Sequence, residues 1–150
     1  MLKDLFLNND LVLCNYDAKD WKDAVTKSIN LLEENGFTEK DTYLESVFSN
    51  TEKNGPYYVI SPGVAIPHAR PEDGVKDLAL SIITLKTPIE FNHEANDPVE
   101  IIIGLAAKDG ASHLELMQQV GKILFEEVNI EAIRKANSNE ELKNCLLDML

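Results

Sequence analysis

Apolar residues recur at helical spacing toward both ends of this chain and gather into continuous runs in its middle. Leu2 to Phe6 reads as a short helical start and Leu11-Val12-Leu13-Cys14 as a short strand. Asp17 has the position of a helix cap ahead of Trp21, Ala24, Val25, Ile29 and Leu32, which recur at helical spacing, and Gly36 ends that helix. Thr38, with Asp41 after it, predicts the start of a second helix through Tyr43, Leu44, Val47 and Phe48. Asn54-Gly55-Pro56 breaks it.

Four more strand candidates follow. Tyr57 to Ile60 is aromatic and branched, Val64 to Ile66 is short, and Leu78 to Leu85 and Val99 to Ala106 are continuous apolar runs suited to central strands buried on both faces. A polar loop, Glu90 to Pro98, separates the last two. The final third is helical. Ser112 with Glu115 reads as a capping box before Leu114, Met117, Val120 and Leu124, and Ser138 with Glu141 as another before Leu142, Leu146 and Met149. Helices at both ends around a central run of strands predict an α/β fold, a three-layer α/β/α sandwich with a mixed central sheet of about five strands. At 150 residues, with no internal repeat or linker, a single domain over 1–150 is expected.

The balance of 14 basic against 26 acidic residues, a net charge of −12, provides no basic patch for nucleic acid or for an anionic membrane surface. No apolar run is long enough to span a bilayer, and the N-terminus has no secretory pattern. Cys14 and Cys145 lie at opposite ends of the chain and form no CxxC pair, so reduced thiols in a cytoplasmic protein are the simplest reading.

The chemistry concentrates at Gly63-Val64-Ala65-Ile66-Pro67-His68-Ala69-Arg70. Pro67 and Pro71 stiffen an extended backbone around His68, and Gly63 and Gly74 permit sharp turns on either side. Such a segment presents one ring in one direction. It equally suits a structural histidine in a tight turn, and the local pattern leaves both open. His113 follows Ser112 into the first turn of a helix, where unpaired N–H groups and the positive dipole end favour a phosphate. If the strands before His68 and His113 end at the same sheet edge, the two rings can face each other. Alone, His113 would read as a polar residue at a helix start. His93, in the loop Phe91-Asn92-His93-Glu94, reads as solvated or as framing the site. The turn Pro71-Glu72-Asp73-Gly74 reads as exposed. The histidines and cysteines show no zinc spacing, and there is no GxSxG, GxxxxGK[ST] or GxGxxG, so neither a metal nor a cofactor is expected.

The segment 63–70 resembles the phosphorylation-site motif of enzyme IIA proteins of the bacterial sugar phosphotransferase system, in the fructose/mannitol superfamily, also called the EIIA type-2 domain. The likeness extends over nearly the whole chain. Gly55 to Ile60, Arg70 to Val75, Phe91 to Glu94 and Asn96 to Val99 are most similar to the ascorbate-type branch. The resemblance implies a phosphocarrier in sugar uptake. His68 would take a phosphoryl group from phospho-HPr as a tele-phosphohistidine and pass it to a cysteine of enzyme IIB, which serves the membrane enzyme IIC. His113 would stabilise the phosphoryl group or the ring, and Arg70 and Ser112 are phosphate-binding candidates. The sequence by itself leaves the phosphorylated ring nitrogen and the sugar open.

One departure stands out. The mannitol-type branch carries an arginine upstream of the active histidine, whereas Ser49-Asn50-Thr51-Glu52-Lys53 has none, which leaves Arg70 or Lys53 for that role. With no membrane segment and no phosphocysteine loop, a free-standing IIA subunit is expected. Its docking surface would draw on Val64, Ile66 or Leu114, of which Ile66 reads more as core. The alternative is a stand-alone regulatory module of the same fold, and a plain anion-binding protein is a third reading. The long apolar strands leave room for a homodimer.

Overall fold

In the computed structural model, which describes residues 2–150, six helices surround one five-stranded sheet. In chain order they are α1 (Leu2–Asn8), β1 (Val12–Tyr16), α2 (Trp21–Glu34), α3 (Thr42–Asn54), β2 (Val59–Ser61), β3 (Val64–Ala65), a short 3-10 turn (Pro71–Asp73), β4 (Ala79–Ile89), β5 (Val99–Ala106), α4 (Gly110–Phe125), α5 (Glu127–Lys135) and α6 (Asn139–Met149). The sheet order is β1-β4-β5-β3-β2. β4 and β5 pair antiparallel at its centre, β1 runs parallel to β4, β3 runs parallel to β5, and β2 closes a hairpin on β3. The sheet is mixed, as the sequence predicts.

The two central strands are mainly apolar, β4 from Ala79 to Leu85 and β5 apart from Glu100, because both faces are covered there. Ser81 and Gly104 sit opposite each other in the β4–β5 ladder and face α2, where the Ser81 hydroxyl donates to the Ser28 carbonyl at 2.8 Å. Strand alternation turns their neighbours Leu80, Ile82, Ile103 and Leu105 to the other face, and these are buried too. A Cβ on Gly104 would lie 2.5 Å from Ser81 Oγ and 2.9 Å from the Ser28 carbonyl oxygen. Glycine at 104 therefore lets α2 lie close against the sheet. Helix α2 buries Ala24, Val25, Ile29, Leu31 and Leu32 there, each larger side chain worth roughly 1.5–3 kcal/mol on burial.

Three helix starts differ from the sequence expectation. Asp20, not Asp17, caps α2, accepting from the Asp23 amide at 2.8 Å. Asp23 in turn accepts from Tyr16 Oη and the Lys19 amide, which holds the preceding turn outside the helix. Thr38 does not begin α3. It pairs with Val75 in an isolated bridge, the next amide, Glu39, donates to Gly74, and the helix begins only after Asp41, at φ 63°. Helix α4 begins at Gly110 with Asp109 as its cap, so Ser112 is the third residue of the first turn and not its cap. Ser138 does cap α6, accepting from the Glu141 amide. Strand β4 runs past Leu85 through Pro88, at a place where its register with β5 shifts and no ladder donor is needed.

Candidate functional site

Because β3 and β5 are parallel, their C-terminal ends lie at one edge of the sheet. His68 follows β3, and His113 lies in the first turns of α4, which follows β5. Their ring centroids are 5.4 Å apart, with the planes inclined at 54°. They share a surface cavity of about 300 Å³ with Asn50, Tyr57, Arg70 and Asp109. The structure thus brings together the two histidines that the sequence places 45 residues apart.

The backbone around His68 is tied at consecutive residues. The Pro67 carbonyl accepts from the Leu105 amide at 3.1 Å, Tyr57 Oη donates to the His68 carbonyl, and the Ala69 amide donates to Tyr43 Oη at 2.9 Å. His68 Nδ1 lies 2.6 Å from the Ile66 carbonyl oxygen. A carbonyl only accepts, so Nδ1 carries the proton and Nε2 keeps its lone pair. Burial pushes the His68 pKa below its ordinary value, and the nearby His113 adds to this, while the Ile66 carbonyl opposes it. The ring is therefore held neutral and nucleophilic at Nε2. Tyr57 stacks edge-on at 5.6 Å, and burial raises its phenol to about 12, so it remains a donor.

The amide of His113 donates to the Asp109 carbonyl at 3.0 Å. Asp109 accepts from the Ser112 amide at 2.7 Å, and this hydrogen bond, with a second to the Ser112 side chain, lowers its pKa. Ser112 Oγ accepts from the Lys108 and Asp109 amides. Ser112 is thus engaged in the cap and does not line the cavity. Arg70 lines it, but its guanidinium lies against Asp73, with contacts of 3.2 Å from Nε and Nη2, in the turn 71–74. In that turn Glu72 is exposed but Pro71 and Asp73 are half-buried and Gly74 is buried, contrary to the exposed turn that the sequence predicts. Lys53, in the last turn of α3, does not line the cavity, whereas Asn50 of the same stretch does.

His93 lies elsewhere. Its Nδ1 accepts from the Asn96 amide at 3.1 Å, and the Asn96 carbonyl accepts from Gly63 N–H, so the ring orders the loop that supports the β2–β3 turn. Val64 and Ile66 are buried and offer no docking surface, because both belong to the sheet core. Leu114, beside His113, is 60% exposed. Among the described residues no group of three His, Cys, Asp or Glu could hold a metal ion. Both cysteines are free, with Cys14 Sγ donating to the Ala136 carbonyl. Sequence reasoning did not assign Tyr43, Asn50 or Tyr57 to the site. In the sequence Tyr57 reads only as part of the strand candidate 57–60 and Tyr43 only as an apolar-face residue of a predicted helix.

The chain matches, over residues 5–149, the family described as Phosphoenolpyruvate-dependent sugar phosphotransferase system, EIIA 2. It is 37% identical over 146 residues to the ascorbate-specific PTS system EIIA component of Escherichia coli K12, across 97% of this chain and 94% of that one. Its fold superposes on the mannitol-specific cryptic phosphotransferase enzyme IIA CmtB of Escherichia coli with a TM-score of 0.87, at 30% identity and 99% coverage of both chains. It shares its fold, with a TM-score of 0.78 at 20% identity over 92% and 94% of the two chains, with a structure of the complex of enzyme IIAMTL and phosphorylated enzyme IIBMTL from Escherichia coli. No helix of the described residues is long and apolar enough to cross a membrane. The chain belongs to the EIIA type 2 family of the sugar phosphotransferase system.

Proposed function

We propose that this EIIA-family chain is a cytoplasmic phosphocarrier whose working atom is Nε2 of His68. The observation that carries this reading is the 2.6 Å contact between His68 Nδ1 and the Ile66 carbonyl, which leaves Nε2 with its lone pair beside His113 and the shared cavity. In the first step, Nε2 attacks the phosphorus of a phosphohistidine on the donor protein HPr. A nitrogen–phosphorus bond forms at His68 as the donor's breaks, and the donor imidazole recovers its electron pair. In the second step, a cysteine thiolate of enzyme IIB attacks the same phosphorus, and His68 leaves with its lone pair restored. The IIB partner is supported by the shared fold with a IIA protein seen in complex with its own phosphorylated IIB.

The rest of the site holds and shields charge. Transfer between nitrogen and sulfur needs in-line placement and charge stabilisation more than covalent help. His113 is placed to hydrogen-bond a phosphoryl oxygen, and the first turn of α4 directs the positive end of its dipole at the cavity. Arg70 can swing from Asp73 toward the same oxygens, since it is exposed and tethered only at the cavity rim. Ser112 contributes through the cap that orders this turn. Leu114 provides an apolar contact for both protein partners. The identity with ascorbate-specific components makes L-ascorbate the sugar to test first.

The test is intact-protein mass after incubation with phosphoenolpyruvate, enzyme I and HPr. One acid-labile phosphate on the native chain, absent from His68→Ala and lost again on adding an ascorbate-type enzyme IIB, is the expected result. A native chain that stays unphosphorylated beside a competent control protein would overturn the reading.

A further inference from the structure

The register of β3 on β5 pairs Val64 with Ile101 and Ala65 with Ile102. Carried onward, it sets His68 opposite Leu105. In a regular parallel ladder Leu105 would donate to residue 67 and accept from residue 69. The first bond is present, from the Leu105 amide to the Pro67 carbonyl at 3.1 Å. The second is not. The Ala69 amide donates instead to Tyr43 Oη at 2.9 Å, and that hydroxyl donates to the Leu105 carbonyl at 2.6 Å. A phenol from α3 thus occupies the ladder at the level of His68. Tyr43 is fully buried, and its ring is packed in the core.

We propose that the Tyr43 hydroxyl is a positioning group for His68, a spacer within the ladder that sets the gap between the segment bearing His68 and the strand end that leads to His113. This inference rests on the phosphocarrier reading of His68. Two hydrogen bonds in series hold Ala69 farther from Leu105 than one direct bond would. The separation falls where β5 departs toward Asp109 and His113, and so governs the width of the cavity between the rings. Without the hydroxyl, the segment either closes onto Leu105 to make the direct bond or leaves a buried amide and carbonyl unpaired. Both outcomes move the His68 ring relative to His113.

The test compares the native chain with Tyr43→Phe, which keeps the buried ring and removes only the hydroxyl. The expected result is a folded variant whose rate of phosphorylation by phospho-HPr falls by about 10- to 100-fold, the cost of a misplacement near 1 Å. Ring ¹⁵N shifts of His68 should also change, as its ring moves relative to His113 while the Ile66 carbonyl keeps the proton on Nδ1. A merely structural role would lower the melting temperature and leave those shifts unmoved. A folded variant with native shifts and a rate within twofold of native would overturn the proposal. If Tyr43→Phe does not fold, amide exchange in the native chain decides. A protected Ala69 amide supports the relay, and exchange at an unprotected rate overturns it. If the native chain takes no phosphate, the phosphocarrier reading fails, and the ring shifts still decide whether Tyr43 positions His68.

Discussion

Nδ1 of His68 and the carbonyl oxygen of Ile66 are 2.6 Å apart, a bond between two residues of the same extended segment. The segment therefore selects the ring tautomer from within, and Pro67 between them limits how the backbone can relax. A bond of this kind survives partner exchange, because neither the donor nor the acceptor protein has to supply it.

Burial lowers the His68 pKa below its ordinary value of 6.5, so Nε2 should stay unprotonated where a free histidine is half charged. Phosphorylation rates are expected to remain level as pH falls through 6.5 and to drop only below it. Stability carries the same signature. The unfolded chain takes up the proton first, so the native state loses stability as pH falls from the ordinary value to the lowered one, and then levels off. Urea titrations of the native chain and His68→Gln across this range would check the sign, because the substitution removes that component.

His113→Ala should leave His68 the only phosphorylated residue and slow the transfer by about 10- to 100-fold, the usual scale for losing one positioned hydrogen-bond partner of a charged group. Stopped-flow or quench measurements with phospho-HPr would read this. A rate equal to native would remove His113 from the mechanism.

Arg70 lies on the surface against Asp73 and Glu72, so its removal should hardly alter folding. Arg70→Ala is expected to slow phosphorylation severalfold with an unchanged melting temperature. Asp73→Asn, which frees the guanidinium, should not slow it. Equal rates in native and Arg70→Ala proteins would end its assignment to the phosphoryl group.

Two glycine substitutions should have opposite signs. Gly104→Ala forces a methyl against the Ser28 carbonyl and Ser81 Oγ and should cost about 1–3 kcal/mol, as overpacking does. Gly121→Ala, within α4 and with nothing within 4 Å, should stabilise the chain by roughly 0.5–1 kcal/mol through helix propensity. Chemical denaturation of both variants checks the pair.

Leu114→Glu should reduce transfer from HPr and to enzyme IIB alike, because this exposed apolar side chain directly follows His113 on α4. Titrating each partner separates this effect from chemistry, since the half-saturating partner concentration should rise while the saturated rate holds.

The sequence by itself determined what local pattern can encode. The runs 78–85 and 99–106 are predominantly apolar because both faces of the central strands are covered there, and they were legible as such. Ser138 was legible as a cap because its partner, Glu141, is only three residues away. The motif around His68 marked the family and the residue proposed to react. The other three helix starts were not legible, because long-range or competing partners decide them, as Val75 does for Thr38 and Asp109 does for Ser112. The same holds for the site. His113 gains its place opposite His68 only through the parallel pairing of β3 with β5. Tyr43 and Tyr57 were legible only as element-forming aromatics, although the Tyr43 ring is buried in the core and the Tyr57 ring packs against it and lines the cavity. Their hydroxyls reach the backbone on either side of His68, and which carbonyl or amide each one meets is fixed by the packing of α3 and of the segment before β2 against β3 and β5. Local spacing records which side chains are apolar. It cannot record which backbone carbonyl, tens of residues away, will meet the one polar atom a side chain carries.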